Sequence, residues 1–501
     1  MTARQTNSPG GFPPDLLLQL PSGGGRGVRE RLERALRVAI QQERLRGGAM
    51  LPPSRVLATD LGVARTVVVE AYRNLAVNGY LETRRGGWTR VRPYTQGKPP
   101  RDEPPRGYED QRFFGWRRAA SRAQIRLLGG LPDPSLFPRR EWLHQYRAVL
   151  AELPQPALGY PDVLGAEPLR QALADYLGRA RGAVAAPERI IVCGGFMQGL
   201  TLVCRALGRA GARRVAVEEP CHVWHRAAIE AAGLEPVSVS ADDRGLDPAA
   251  LRDNVDAVVT APAHSYPSGS TLDGARRRTL VAWAARTDTL VIEDDYDAEL
   301  RYDRAPIGTL QGLAPDQVVY IGSASKTLTP GLRLGWLIAP SRLVEQLARE
   351  KHHDDMGSSL LEQHALARFV ESGSFARHLR RIRPIYRDRR DAAIRALETL
   401  LPSARWQGEA AGLHLLLTFP GTVDVKAIAA AAYERNVLVE LGAWHWAISD
   451  QAPPSLVLGY GGASEARIRR GISVIAEALE EQSSRHRSPP IGLSRRKPIG
   501  N

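Results

Sequence analysis

Residues 94–126 are rich in Pro, Arg and Gly and carry no periodicity, so they divide the chain into two parts with separate cores. Before this stretch lie short helical patterns punctuated by Gly, Pro and Asn. From residue 127 the texture changes. Short β-branched runs (Ile190–Val192, Arg214–Val217, Ala257–Thr260, Leu290–Ile292, Val318–Ile321) alternate with helical patterns. That alternation predicts a mostly parallel sheet covered on both faces. A last segment, 345–481, reads as a long helix leading into a smaller α+β subdomain. The expected organisation is a Gly/Pro/Ser-rich start at 1–25, a first domain at 26–93, the linker at 94–126, a large domain at 127–481 and a basic tail at 482–501. A chain of 501 residues has room for two or three domains.

Charge follows the same division. Residues 1–126 hold 23 Lys and Arg against 11 Asp and Glu, and residues 482–501 hold five basic residues and no acidic one. The whole chain is +14, so the segment between is slightly negative. A basic module on a nearly neutral body is the electrostatic footprint of a phosphate-backbone binder. Cys193, Cys204 and Cys221 show neither CxxC spacing nor a disulfide framework, which fits a reducing cytoplasm and suggests no metal site. No stretch approaches the length of a membrane span, and no membrane partner is expected.

In the first domain, Val28, Leu32, Ala35, Leu36, Ala39 and Ile40 predict a helix over 28–46. Pro52-Pro53-Ser54 opens the next element with Ser54 as N-cap, and two helices follow at 55–61 and 65–77 around Gly62-Val63-Ala64. Strands at 80–84 and 89–92 flank Gly86-Gly87. Helix, turn, helix and a glycine-tipped hairpin make a winged helix-turn-helix. Val68, Ala71, Tyr72 and Leu75 share the core face of its second helix, leaving Arg65, Thr66, Arg73 and Asn74 toward solvent or DNA. An arginine at that helix's start can pair with a guanine edge in the major groove. Glycines at the wing tip let backbone approach the minor groove.

In the second domain two constellations stand at strand ends, where open α/β sheets place ligands. Glu293-Asp294-Asp295-Tyr296-Asp297 follows one buried run, and Gly322-Ser323-Ala324-Ser325-Lys326-Thr327 follows another, with Arg333 seven residues beyond Lys326. A lysine flanked by hydroxyls suits an imine to an aldehyde cofactor. The hydroxyls and Arg333 would hold a phosphate, and an aspartate at a neighbouring strand end would keep a pyridine nitrogen protonated. Cys193-Gly194-Gly195-Phe196-Met197-Gln198 follows a third strand and opens a helix, a backbone cradle for the same phosphate.

These residues carry a resemblance. Leu51 to Gly87 resembles the GntR-family DNA-binding domain. The stretches LPDPSLFP (131–138), YPDVLGAEPLR (160–170), IEDDYDAELRY (292–302) and GSASKTLTPGLRLGW (322–336) resemble fold-type I aminotransferases. Together they make the chain similar to the MocR-like subfamily of GntR regulators. The resemblance implies an α/β multidomain protein, a winged helix-turn-helix fused to a fold-type I PLP-dependent aminotransferase-like domain. Its DNA contacts would be Arg55, Arg65, Thr66, Arg85 and Gly86. Lys326 would bind pyridoxal 5'-phosphate (PLP) covalently, Asp294 would partner the pyridine nitrogen and Tyr296 would donate to the phenolic oxygen. Ser323, Ser325, Arg333 and the turn Gly195, Phe196 and Met197 would hold the phosphate. His222 would stack on the ring, and Tyr160 would reach the phosphate of a partner subunit.

Three departures from that pattern bear on function. His222 stands where a stacking Tyr is usual, Met197 replaces a polar residue of the phosphate turn, and Ala64 stands where Ser or Thr usually precedes Arg65. Further, no Arg or Lys lies between Asn436 and Ala466, where such folds supply the arginine that clamps a substrate carboxylate. The expected protein is a cytoplasmic homodimeric regulator that binds double-stranded operator DNA and senses PLP or a PLP-linked amine. The alternative is an active PLP-dependent aminotransferase with an accessory DNA-binding head.

Overall fold

The computed structural model describes residues 27–84, 87–93, 122–302, 307–408 and 410–487. They fall into two compact units, a head within 27–93 and a body within 122–487.

The head runs α1 (Val28–Gln41), β1 (Met50–Leu51), α2 (Ser54–Leu61), α3 (Arg65–Val77), β2 (Leu81–Thr83) and β3 (Thr89–Val91). Leu32, Leu36, Ala39 and Ile40 of α1 pack on Val68, Ala71, Tyr72 and Leu75 of α3 in one closed core. Helix α1 ends at Gln41, not at Arg46 as its pattern suggested, and Glu43 takes a left-handed φ of 57°. The reason is Leu45. Continued helix would put it about 180° round from Leu36, away from the core. The turn instead brings it inside, where it is 2% exposed. Ser54 is the first residue of α2 and not its cap, which is Pro53; its Oγ faces Arg65 Nε at 3.5 Å. Asn74 is also displaced from its expected role. Its Nδ2 donates to Glu33 Oε1 of α1 at 2.8 Å, so it braces the head and does not point at DNA. Strand β1, unmarked in the sequence, pairs antiparallel with β3 and completes a sheet of order β1-β3-β2.

The body is built on an eight-stranded sheet of order β5-β12-β11-β10-β9-β6-β7-β8. Its members are β5 (Ile190–Cys193), β6 (Arg214–Glu219), β7 (Glu235–Asp242), β8 (Gly245–Leu246), β9 (Ala257–Thr260), β10 (Leu290–Asp295), β11 (Val318–Ser323) and β12 (Gly335–Ile338). Strand β12 runs antiparallel to both neighbours and β8 to β7; the remaining strands are parallel. Strands β5, β9, β10, β11 and β12 are buried at every residue, as helices on both faces require.

The expected single long helix after 345 is three helices, Ser341–Asp355, Leu360–Glu371 and Ser374–Leu400. Met356 at φ 55° and Gly357 at φ 111° break the first from the second, and Gly373 at φ 69° breaks the second from the third. A five-stranded sheet of order β13-β14-β16-β15-β4 follows, from β4 (Ile125–Leu127), β13 (Arg405–Gln407), β14 (His414–Thr418), β15 (Val437–Leu441) and β16 (Ser455–Gly459). Two expected boundaries move. Strand β4 begins inside the expected linker, because Ile125 and Leu127 pair in parallel with Val437 and Val439. The final helix, Glu465–Arg487, enters the expected tail: Gln482 bonds Asp424 and Glu481 pairs with Arg435 at 2.6 Å, holding its last turns. Residues 488–501 lie outside the described residues. No described helix is long and apolar enough to cross a membrane.

Candidate functional site

In the head, α3 and the β2–β3 wing enclose an open groove lined by Arg55, Arg65, Val69, Arg73, Arg84, Trp88 and neighbours. Arg55, Arg65, Arg73 and Arg84 are all exposed there. Helix α3 has Ala64 as N-cap with no side-chain cap bond, so its first amides are open to an anion. Thr66 is exposed on the first turn but does not line the groove. Arg85 and Gly86 lie outside the described residues. Arg84, beside them, accepts at its carbonyl from Gly87 N at 2.9 Å, and Arg90 stacks over Trp88 at 4.5 Å, which shapes the wing.

In the body, the ends of β5, β10 and β11 converge on a cavity of about 210 Å³. Its wall includes Phe196, Met197, His222, Asp294, Tyr296, Ser323, Ser325, Lys326 and Arg333, all expected from sequence, together with Gly129, Gly130, His225 and Tyr266, which were not. Asp294 sits inside β10 and not beyond it. Period-two alternation turns Glu293 and Asp295 to one face and Asp294 to the other. Glu293 accepts from Leu310 N at 2.9 Å and Gln311 N at 3.0 Å, and Asp295 pairs with fully buried Arg181 at 2.8 Å.

The Asp294 carboxylate has one oxygen engaged and one open. Oδ2 lies 3.3 Å from His225 Nε2, while buried Oδ1 has no partner. Burial raises its pKa, against the opposing pull of His225. Lys326 is half-buried, and desolvation lowers the pKa of its amine although Asp297, Asp294 and Glu440 act in the other direction. Gly130, at φ 67°, passes directly over it: a Cβ there would come within 3.1 Å of Lys326 Nζ. Tyr296 Oη lies 3.0 Å from His264 Nδ1, which also lies 2.9 Å from Asp297 Oδ2. Burial, then Asp297, raises the Tyr296 pKa well above its usual value and keeps it an O–H donor.

At the opposite end, Gly195 at φ 102° caps the helix Phe196–Arg209, and a Cβ on it would come within 3.4 Å of the Arg333 guanidinium. Ser325 N donates to Ser323 Oγ at 3.2 Å. Helix N-terminus, two hydroxyls and a guanidinium form a cradle for a phosphate dianion. His222 lies on the wall with its ring centroid 5.0 Å from that of Tyr266. Burial, then His225, pushes its pKa well below the usual value, so it offers a neutral ring face. Tyr160 does not reach this cavity; it is 88% exposed.

Besides Gly129, Gly130 and Tyr266, two further groups of the site were not expected, His225 and Glu440. His225 lies three residues after His222, a helical spacing that could have flagged it. Glu440, on β15, is remote in sequence and carries no local signal; its Oε2 accepts from Tyr266 Oη at 2.9 Å and Gly129 N at 3.3 Å, and its Oε1 lies 3.0 Å from His445 Nε2.

A regulator's DNA-reading head joined to an aminotransferase body is the class these two sites define, and the comparisons bear on each. Residues 28–91 match the family "Bacterial regulatory proteins, gntR family", and residues 133–444 match "Aminotransferase class I and II". Over 452 residues the chain is 32% identical to the HTH-type pyridoxine biosynthesis transcriptional regulator PdxR of Corynebacterium glutamicum, covering 90% of this chain and 96% of that one. It is 30% identical to the probable rhizopine catabolism regulatory protein MocR of Rhizobium meliloti, covering 90% and 94%. A kynurenine aminotransferase of Pyrococcus horikoshii, solved in complex with PMP, superposes with a TM-score of 0.68 at 27% identity, over 74% of this chain and 94% of that one. The chain belongs to the MocR-like subfamily of GntR-family HTH-type transcriptional regulators.

Proposed function

We propose that this regulator binds operator DNA through the groove of its head and senses PLP, or an amine joined to PLP, in the cavity of its body. The observation that carries the second half is Asp294 Oδ1, buried and without a partner on the wall that also bears Lys326 and the phosphate cradle. A protonated pyridine nitrogen is the group that satisfies it. When bound, the cofactor supplies an aldehyde carbon and an electron-withdrawing ring.

The chain's own residues do the rest. Lys326 offers a desolvated amine; Ser323, Ser325, Arg333 and the amides of Gly195, Phe196 and Met197 hold the phosphate. Asp294 keeps the ring nitrogen protonated, with His225 fixing its orientation. Tyr296 donates to the phenolic oxygen, and His222 covers one ring face. In the head, Arg55 and Arg65 meet DNA in the groove, Thr66 meets a flanking phosphate, and Arg85 and Gly86 meet the wing side. The working form is a homodimer in which Tyr160 reaches the partner's phosphate site. Its exposure beside Leu158 (58% exposed), with Leu143 and Leu150 also open, supports that reading. Control of DNA binding requires that the ligand favour one arrangement of head and body over another.

The test is a gel shift of the full chain on the DNA upstream of its own gene, with and without PLP. PLP should change the affinity of the wild-type chain, and Lys326→Ala should bind DNA without responding to PLP. Sustained keto-acid release from an amino-donor panel would favour the enzyme reading instead.

A further inference from the structure

The body's cavity has two ends of opposite electrostatic character. Its wall carries two cations, Lys326 and Arg333. Arg333 lies against Gly195 at the phosphate cradle. Around Lys326 the charges are negative: Asp297, Asp294 and Glu440 all favour its protonated form. Glu440 stands behind the Gly129–Tyr266 wall, and both of its oxygens are engaged, by Tyr266 and Gly129 on one side and His445 on the other. Those hydrogen bonds outweigh burial and keep it ionised. Behind the wall at this end Val457 and Leu416 pack on Tyr266, and a Cβ at Gly129 would come within 2.8 Å of Val457 Cγ1. His445 is pinned by Glu440, and Arg467 is exposed on the final helix and does not line the cavity.

We infer that the Lys326 end of this cavity selects primary amines that carry no carboxylate beside the nitrogen, and that Glu440 is the residue setting that preference. The inference rests on the reading that the cavity holds PLP. A ligand's α-carboxylate would bring a negative charge into a region that already holds three carboxylates and where, among the described residues of the wall, the one Lys or Arg besides Lys326 is Arg333 at the phosphate cradle. An amine without that group brings no such charge. In the exchange the incoming nitrogen takes the place of Lys326 Nζ: one carbon–nitrogen bond forms as the other breaks. The three hydrogens of the incoming ammonium pass to Lys326 Nζ, which leaves as an ammonium of its own.

The experiment titrates the PLP-loaded full chain with butylamine and putrescine, and with L-alanine and L-glutamate, following the visible absorbance and the heat of binding. The amines should bind at least about tenfold more tightly than the amino acids, and Glu440→Gln should narrow that gap at least about fivefold by improving L-alanine, with butylamine little changed. Equal affinity of butylamine and L-alanine for the wild-type chain overturns the inference without recourse to any variant. So does a folded Glu440→Gln chain with the gap unchanged. A chain that takes up no PLP shows no visible band before any amine is added; that result overturns the underlying reading, and the inference with it.

Discussion

The head and the body keep their functional charges in opposite states. In the head, Arg55, Arg65, Arg73 and Arg84 stand in solvent around an open groove. In the body, Asp294 and Asp297 are buried, and Lys326 and Glu440 are half-buried and act on one another. Exposed cations gain energy only when a polyanion arrives and releases counterions. Desolvation raises the Asp294 pKa and lowers that of Lys326 before any ligand comes, so the site is preorganised. Salt should therefore weaken DNA binding steeply and PLP binding little, because surface charges are screened and buried ones are not.

The largest expected effect tests the body. Lys326→Ala should abolish the visible absorbance of the PLP-treated protein and any borohydride-reducible adduct, while the far-UV circular dichroism stays as in wild type. A reducible adduct at full stoichiometry would remove Lys326 from its role. Next, Asp294→Asn leaves His225 and the pyridine nitrogen without their anion. Breaking a buried pair costs about 3–5 kcal/mol, so PLP affinity should fall by at least about a hundredfold, equally at low and high salt. A loss that varied with ionic strength would show that Asp294 acts through long-range field and not by contact.

Glu293 sharpens the comparison through pH. Burial, then Asp295, pushes its pKa from 4.5 up to about 7. A carboxyl whose folded value lies above its unfolded value adds stability that is fully present below the unfolded value and lost as pH rises through the folded one. Between pH 4.5 and 8 this group should withdraw up to about 3 kcal/mol. Glu293→Gln loses an acceptor for Leu310 N or Gln311 N, but its urea midpoint should fall less steeply across that window than wild type. Parallel profiles would mean that Glu293 titrates as an ordinary carboxylate.

The same contrast explains what was legible in the sequence. The head's elements are local, and helix α3, the Gly62 turn and both wing strands stand within a residue of expectation. Only β1 escaped, since two residues, Met50 and Leu51, have no alternation to read and exist as a strand through pairing with β3. In the body, five of the parallel strands announce themselves as β-branched runs, with Asp294 and Lys326 at or just beyond the ends of β10 and β11, whereas β7, parallel to β6, was not among the expected runs. Strand β12 was hidden because its four residues, Gly335–Ile338, are too few to show a pattern, and it earns its place by pairing with β5 and β11. Glu440 was hidden for a related reason. The lack of Arg and Lys between Asn436 and Ala466 is plain in the sequence, but the carboxylate that shapes the wall acquires meaning only when the small sheet brings it to Tyr266, 174 residues away in sequence.

The smallest effects belong to the head, and they separate base recognition from charge. Arg65 opens α3, its Nε held to Ser54 Oγ only at 3.5 Å, so the guanidinium is free to turn toward a base edge. Arg65→Ala should cost about 1–3 kcal/mol on the operator and relax the base preference at one position. Arg85, next in sequence to the exposed Arg84, should act on the phosphate backbone. Arg85→Ala should weaken binding to all sequences alike and lower the salt slope by about 1. Fluorescence anisotropy on operator and scrambled duplexes over a salt series distinguishes the two. If Arg65→Ala changes both duplexes equally, α3 is positioned by phosphates alone, and specificity must come from other residues of the groove, with Val69 and Arg73 the next to change.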